Sequence, residues 1–243
     1  MPTILITGAN SGIGYATALK LSTQPNNHTI LACRSPQKAQ ETLLSLTKTS
    51  KGTLSTLPLD VDDDASISAA VNIVSSQFGK LDILINNAGI TAHTATGRER
   101  LQRTFCTNVF GSMLVAEAFT PLLLRSECAR LIQVSSALGS MGLASDEDSM
   151  YYGSCWSEYR MSKAAVNMMV LELGKRLEGR VRVFAFCPGL VRSRLRGEGE
   201  EHVSAGGLAG DPGDSARGIL DIVLGKRDGE ESCFLHGEGV YPW

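Results

Sequence analysis

The chain has 243 residues, 43% of them hydrophobic and 20% charged, enough for one α/β domain with its own core and with no second domain required. A formal net charge of -2 with scattered basic residues excludes the single-sign field that gathers nucleic acid or an anionic membrane, so neither is an expected partner. The six cysteines lie far apart, with no CxxC pair and no histidine at ligand spacing, which points to reduced thiols in a cytoplasmic protein without a metal site.

The first apolar run, Thr3 to Thr7, is too short for the core of a signal peptide and reads as a strand. Runs of similar length follow at Thr29 to Cys33, Leu54 to Leu59, Leu81 to Ile85, Arg130 to Ser135, Val181 to Cys187 and Ser232 to Leu235. Helical periodicity fills the intervals at residues 12–23, 36–48, 64–78, 98–125, 158–178 and 213–225. This alternation predicts a single doubly wound domain, a parallel sheet of about seven strands with helices on both faces. Its ligand crevice then lies at the carboxyl ends of the strands. Ser35 before Pro36 reads as a helix start, and Gly179 as a helix stop. No stretch reaches the roughly 18 apolar residues of a membrane span. Arg194 to Gly213 is glycine-rich, charged and aperiodic, which predicts a mobile surface loop.

At the end of the first strand comes Thr7-Gly8-Ala9-Asn10-Ser11-Gly12-Ile13-Gly14, running into a helix. Its glycines permit a sharp turn and a close backbone approach to a pyrophosphate, and the helix N-terminus offers free amides to the phosphates. The second strand ends on Cys33-Arg34-Ser35. An NAD site would place a carboxylate there for the adenosine ribose; Arg34 and Ser35 instead suit a 2′-phosphate, so the expected cofactor is NADP(H). Further on, Tyr159 and Lys163 stand four apart at the opening of a helical pattern, on one face. Bringing a phenol from about 10 towards neutrality takes roughly 4 kcal/mol, which one cation at about 4 Å supplies at an effective dielectric near 20. Lys163 is therefore expected to hold Tyr159 ready as an acid or base.

Taken together these stretches resemble the short-chain dehydrogenase/reductase family, and in particular its carbonyl-reductase-like members. Asn86-Asn87-Ala88-Gly89 after the fourth strand is similar to the family's NNAG motif, which implies that Asn87, Ala88 and Gly89 brace the sheet beside the adenosine. Asp60-Val61 matches the pair that meets the adenine. Pro188-Gly189 matches the turn after the sixth strand, with Val191 and Ser193 placed for the nicotinamide carboxamide. Ser135-Ser136, followed by Gly139, is similar to the SSxxG pattern; the resemblance makes Ser136 catalytic and Ser135 structural. It also implies that Lys163 holds the nicotinamide ribose, and that Asn108 helps hold a water linking Lys163 to solvent.

The implied fold is a Rossmann-type domain, and the implied activity is reduction of a ketone or aldehyde, or oxidation of the alcohol, through Ser136, Tyr159, Lys163 and Asn108. A homodimer or homotetramer is implied as well. Two features depart from the family pattern. Ser136 and Tyr159 are 23 positions apart, which makes residues 140–158 an insertion-like stretch near the active site, and Ser11 stands where many NADP-using relatives carry a basic residue. Within the stretch, Tyr151 and Tyr152 have Cys155 and Trp156 at i+4, so neither replaces Tyr159; Tyr152 and Trp156 favour an apolar or aromatic substrate. The loop over 194–213 is expected to close as a lid. A nicotinamide-binding regulator, or a non-redox lyase or cyclase, on the same scaffold is the alternative.

Overall fold

A computed structural model describes residues 1–243 apart from Ser154. Eight strands form one sheet in the order β3-β2-β1-β4-β5-β6-β7-β8. They are β1 (Thr3–Thr7), β2 (His28–Cys33), β3 (Thr53–Pro58), β4 (Ile83–Asn86), β5 (Arg130–Val134), β6 (Arg182–Phe186), β7 (Phe234–Leu235) and β8 (Val240–Tyr241). All neighbours pair in parallel except β7 and β8. The expected doubly wound sheet is present, with one strand more than expected: β8 is two residues long and folds back antiparallel, too short for an apolar run to announce it.

The strands read as nearly unbroken apolar runs because both sheet faces are covered. Along β1 the faces alternate: Leu5 joins Leu84, Phe119, Val170 and Phe234 on one side, while Ile4 and Ile6 join Ile85, Leu21, Phe184 and Ile219 on the other. Each such side chain, fully buried, contributes about 1.5 to 3 kcal/mol.

The helices are α1 (Gly12–Ser22), α2 (Pro36–Thr47), α3 (Asp64–Phe78), α4 (Gly97–Phe105), α5 (Ser112–Leu123), α6 (Met141–Ser145), α7 (Ser157–Arg176), α8 (Glu200–Val203) and α9 (Pro212–Val223). Local chemistry sets several ends. Ser35 accepts the Lys38 amide, Asp63 the Ala65 amide and Asp211 the Gly213 amide. Gly79 and Gly179, both at φ 71°, take the left-handed conformation that ends α3 and follows α7.

Three expectations need correction. The single helix over 98–125 is interrupted: α4 and α5 flank a π-helical turn, Cys106–Gly111. There Gly111 presses so close to β3's extension that a Cβ would stand 2.5 Å from the Val61 carbonyl oxygen. The apolar pattern runs straight through, so periodicity could not reveal the extra residue. The same stretch, Gly97–Leu123, also contains an 18-residue window apolar enough by composition to cross a bilayer, with a mean hydropathy of 1.2, contrary to the expectation that none would be. Half of that window is buried within the fold, so much of its apolarity serves the core. Finally, the segment from 194 to 213 is not irregular throughout. It holds a 3-10 turn (Arg194–Arg196), α8, and a bridge between Val191 and Gly210, elements too short to show a period.

Residues 140–145 meet the end of the chain. The Ser140 hydroxyl donates to the Pro242 carbonyl (2.7 Å), the Gly142 amide donates to the Trp243 carbonyl (2.7 Å), and Trp243 stacks on Phe234. At the opposite edge of the sheet, Asp82 is buried. One carboxylate oxygen accepts the Thr3 amide (2.8 Å); the other accepts the Lys80 ammonium (2.7 Å) and the Ser126 hydroxyl (2.5 Å).

Candidate active site

The carboxyl ends of β1, β4, β5 and β6 bring the sequence-predicted residues together on one rim. Thr7 ties the first two: its hydroxyl oxygen accepts the amides of Asn87 (3.0 Å) and Ala88 (2.9 Å). The Asn87 side-chain amide in turn donates to the carbonyls of Thr7 (2.9 Å) and Gly8 (3.3 Å). Gly8 has φ 64°, and a Cβ on Gly14 would stand 2.3 Å from the Gly8 oxygen, so this turn admits glycine alone at both places. Ile13 packs on the core.

Ser11 caps α1 without a side-chain hydrogen bond, leaving the helix's first amides to other partners. Asn10, Ser11 and Gly12 line one wall of an open cavity of about 890 Å³, with Ser193, Arg194 and Gly210 on the other and Lys20 at the edge. Orphan amides, a glycine cradle that a Cβ would fill, and basic side chains suit a pyrophosphate. Arg34 is exposed at the end of β2 with no ion pair among the described residues, and Ser35 is half-buried beside it. Asp60 accepts the Asp62 amide, its own amide donates to Ser66, and Val61 is buried beside it.

Tyr159 is buried, 7% exposed, with Ser136 acting on its phenol to favour the ionised form. Ser136 also accepts the Leu138 amide (3.3 Å), which fixes it at the start of the short turn after β5. Ser135 points the other way and donates to the Asn167 side chain (2.5 Å). The Lys163 ammonium donates to the Val134 carbonyl (2.8 Å) and stands 5.6 Å from the centre of the Tyr159 ring.

Here the electrostatics differ from expectation. Burial pushes the Tyr159 phenol up and the Cys187 thiol adds to that, against the Ser136 hydrogen bond and the Arg196 charge. Burial brings Lys163 down to about 8. In the free protein Lys163 therefore does not hold the phenol near neutrality: its charge is engaged by a backbone carbonyl, and desolvation outweighs what it offers.

Asn108 lies in the π-helical turn. Its carbonyl oxygen accepts the Ile90 amide (2.8 Å), and its amide donates to the Ile90 carbonyl (2.9 Å) and the Ser162 hydroxyl (3.0 Å). It thereby ties the segment after Gly89 to α7. A Cβ on Gly89 would stand 3.3 Å from the Asn108 side chain and 3.6 Å from the Lys163 nitrogen. Pro188 accepts the Ser215 hydroxyl (2.6 Å) and Gly189 has φ 77°.

Three residue roles escaped the sequence reading. Thr7 is the hinge of the rim, signalled only by its place before Gly8. Cys187 accepts the Ala137 amide (3.1 Å) next to Ser136, signalled only by its place before Pro188. Arg196 had no signal at all.

Comparison with known proteins gives a consistent picture. The profile of the short chain dehydrogenase family matches residues 2–204. The short-chain dehydrogenase anuI of Penicillium roqueforti is 39% identical over 204 residues, 81% of each chain. The short-chain dehydrogenase/reductase tropE of Talaromyces stipitatus is 34% identical over 265 aligned positions, covering 99% of this chain and 97% of that one. Among solved structures, an NADPH-bound carbonyl reductase from chicken fatty liver superposes with a TM-score of 0.81 at 29% identity, covering 100% and 99% of the two chains.

Proposed function

The chain belongs to the short-chain dehydrogenase family of oxidoreductases, and from that premise we propose that it is an NADP(H)-dependent reductase of a ketone or aldehyde. The observation that carries this reading is the buried Tyr159 phenol, acted on by Ser136 and overlain by Lys163, on the same rim as the Gly8 to Gly14 cradle. The cofactor, when bound, supplies a hydride; the protein supplies orientation and the proton. A phenol held above its ordinary range is a neutral donor, suited to protonating a carbonyl oxygen as it gains charge. Ser136 orients that oxygen, and Lys163, near 8, passes a proton towards Tyr159 and would be resupplied from solvent through a water that Asn108 helps hold.

Gly8, Asn10, Ser11, Gly12, Ile13 and Gly14 take the phosphates; Asp60 and Val61 take the adenine, with Asn87, Ala88 and Gly89 beside it. Pro188, Gly189, Val191 and Ser193 take the carboxamide, and the segment from 194 to 213 closes over the substrate. NADPH oxidation against a panel of carbonyl compounds, beside cofactor binding by fluorescence, tests the reading. Binding without turnover on any of them would favour a regulator.

The choice of NADP(H) rests on Arg34 and Ser35, supported by the likeness to an NADPH-bound carbonyl reductase. A charge-assisted hydrogen bond of about 1.5 to 3 kcal/mol corresponds to a preference for NADPH over NADH of roughly 10-fold to 150-fold. Arg34→Ala is expected to erase most of it, read as the ratio of kcat/KM values. An unchanged ratio would overturn the assignment.

Self-association is also part of this reading. Phe110, Leu114, Met161 and Met168 are 41% to 55% exposed on the π-helical turn, α5 and α7, a face suited to pairing across a two-fold axis. Light scattering at micromolar concentration is expected to give a dimer or tetramer; a monomer would refute it.

A further inference from the structure

Arg196 is held by the backbone of its own segment. Two arginines of the surrounding segments have carboxylate partners: Arg192 pairs with Glu200 at 2.9 Å and Arg217 pairs with Asp214. Arg196 has none among the described residues. Its guanidinium is held by three backbone carbonyls, Nε donating to His202 (2.9 Å) and Nη2 to Val191 (2.9 Å) and Val203 (2.9 Å). Nη1 makes no hydrogen bond among the described residues.

The turn that carries it is fixed from the other side as well. The Thr91 hydroxyl, just beyond Gly89, donates to the Leu195 carbonyl at 2.6 Å. Arg196 is thus anchored on a turn tied to the segment after Gly89, and its positive charge favours the ionised Tyr159 phenol. Partial burial penalises the cation, and no anion of the chain offsets that cost. A pre-set planar donor with one nitrogen unpartnered among the described residues, on a turn tied to the rim of the site, is the arrangement that recognises anionic oxygen.

We propose that Arg196 is a specificity-determining residue, whose free Nη1 binds a carboxylate or other anionic oxygen carried by the carbonyl substrate. The proposal rests on the reductase reading, and it narrows the substrate class to acidic carbonyl compounds. The carbonyl-bound nitrogens hold the guanidinium plane while Nη1 engages the substrate. An anion held there directs the reactive carbonyl towards Ser136 and Tyr159 and excludes neutral analogues of the same shape, which leave the cation without a partner.

The test uses phenylglyoxylate and its methyl ester as paired probes with NADPH. In the wild-type protein the acid is expected to exceed the ester in kcat/KM by about 10-fold to 150-fold. Arg196→Met should collapse that ratio towards one, and Arg196→Lys should restore part of it, as a charge without the planar fork. A purely structural clasp would move both probes together and leave the ratio unchanged, which would overturn the proposal.

Independently of catalysis, benzoate should bind the full chain with NADPH at least 10-fold tighter than benzamide by calorimetry; equal binding would also overturn it. The two readings fail separately. Absent NADPH binding would sink the reductase reading and this one with it, whereas NADPH binding without anion selectivity would sink the Arg196 site alone.

Discussion

Replacing Tyr159 by Phe is expected to lower kcat by about 100-fold to 10,000-fold while leaving NADPH affinity nearly unchanged. The substitution deletes one hydroxyl, the group that Ser136 holds, and keeps the ring that fills the space below Lys163. What disappears is a proton donor at the reacting oxygen, an interaction needed in the transition state and not in the ground state. Lys163→Ala is expected to be worse on both counts, because the ammonium stands beside Gly89 as well as over the phenol. Single-turnover kinetics with a fluorescence titration of NADPH separates the two effects. If Tyr159→Phe kept most of the activity, the proton would have to come from another group.

The second large effect is on stability. Asp82→Ala removes the acceptor for the Thr3 amide, the Ser126 hydroxyl and the Lys80 ammonium, of which the first two are buried. Leaving two buried donors unsatisfied and breaking a half-buried ion pair is expected to cost about 3 to 5 kcal/mol, visible as a fall in Tm and in the denaturant midpoint. The pH dependence has a definite sign. Burial pushes the Asp82 carboxyl up, but the hydrogen bonds from Lys80, Ser126 and Thr3 prevail and leave it below its ordinary value. Its contribution is therefore fully present above the unfolded value of about 3.9, and fades as pH falls through the lower folded one. Acid unfolding should show the wild-type advantage over Asp82→Ala shrinking only below about pH 4. A gap already closed at pH 6 would mean that Asp82 is not the group responsible.

Much of this architecture was legible in the chain because its signals are local. Ile83 to Ile85 reads as a buried strand since both faces are covered, and Ser35 and Gly179 announce helix ends through a side chain and through conformational freedom. Tyr159, Lys163 and Ser136 were legible as a motif. What escaped depends on tertiary placement. The direction of the Tyr159 shift follows from how deeply the ring is buried and from Lys163 choosing the Val134 carbonyl, neither of which is a property of four-residue spacing. Arg196 escaped because its partners are backbone carbonyls of Val191, His202 and Val203, which carry no residue-type signature.

The π-helical turn at Cys106–Gly111 has a bearing on which changes of length this chain can accept. A π turn carries one residue more than the α-helical path between the same two ends, and each helical residue turns the chain by about 100°. Deleting a single residue there would let α4 and α5 fuse into one regular helix, but it would rotate everything on one side relative to the other by that angle. Thr104, fully buried, would swing off the core, or Asn108 would leave Ile90 and Gly111 its seat against Val61. The chain between Phe105 and Ser112 is therefore fixed in residue count as firmly as in residue type. Among its relatives, differences in length should gather instead in stretches such as 194–213, where one residue more or less turns no helix against the sheet.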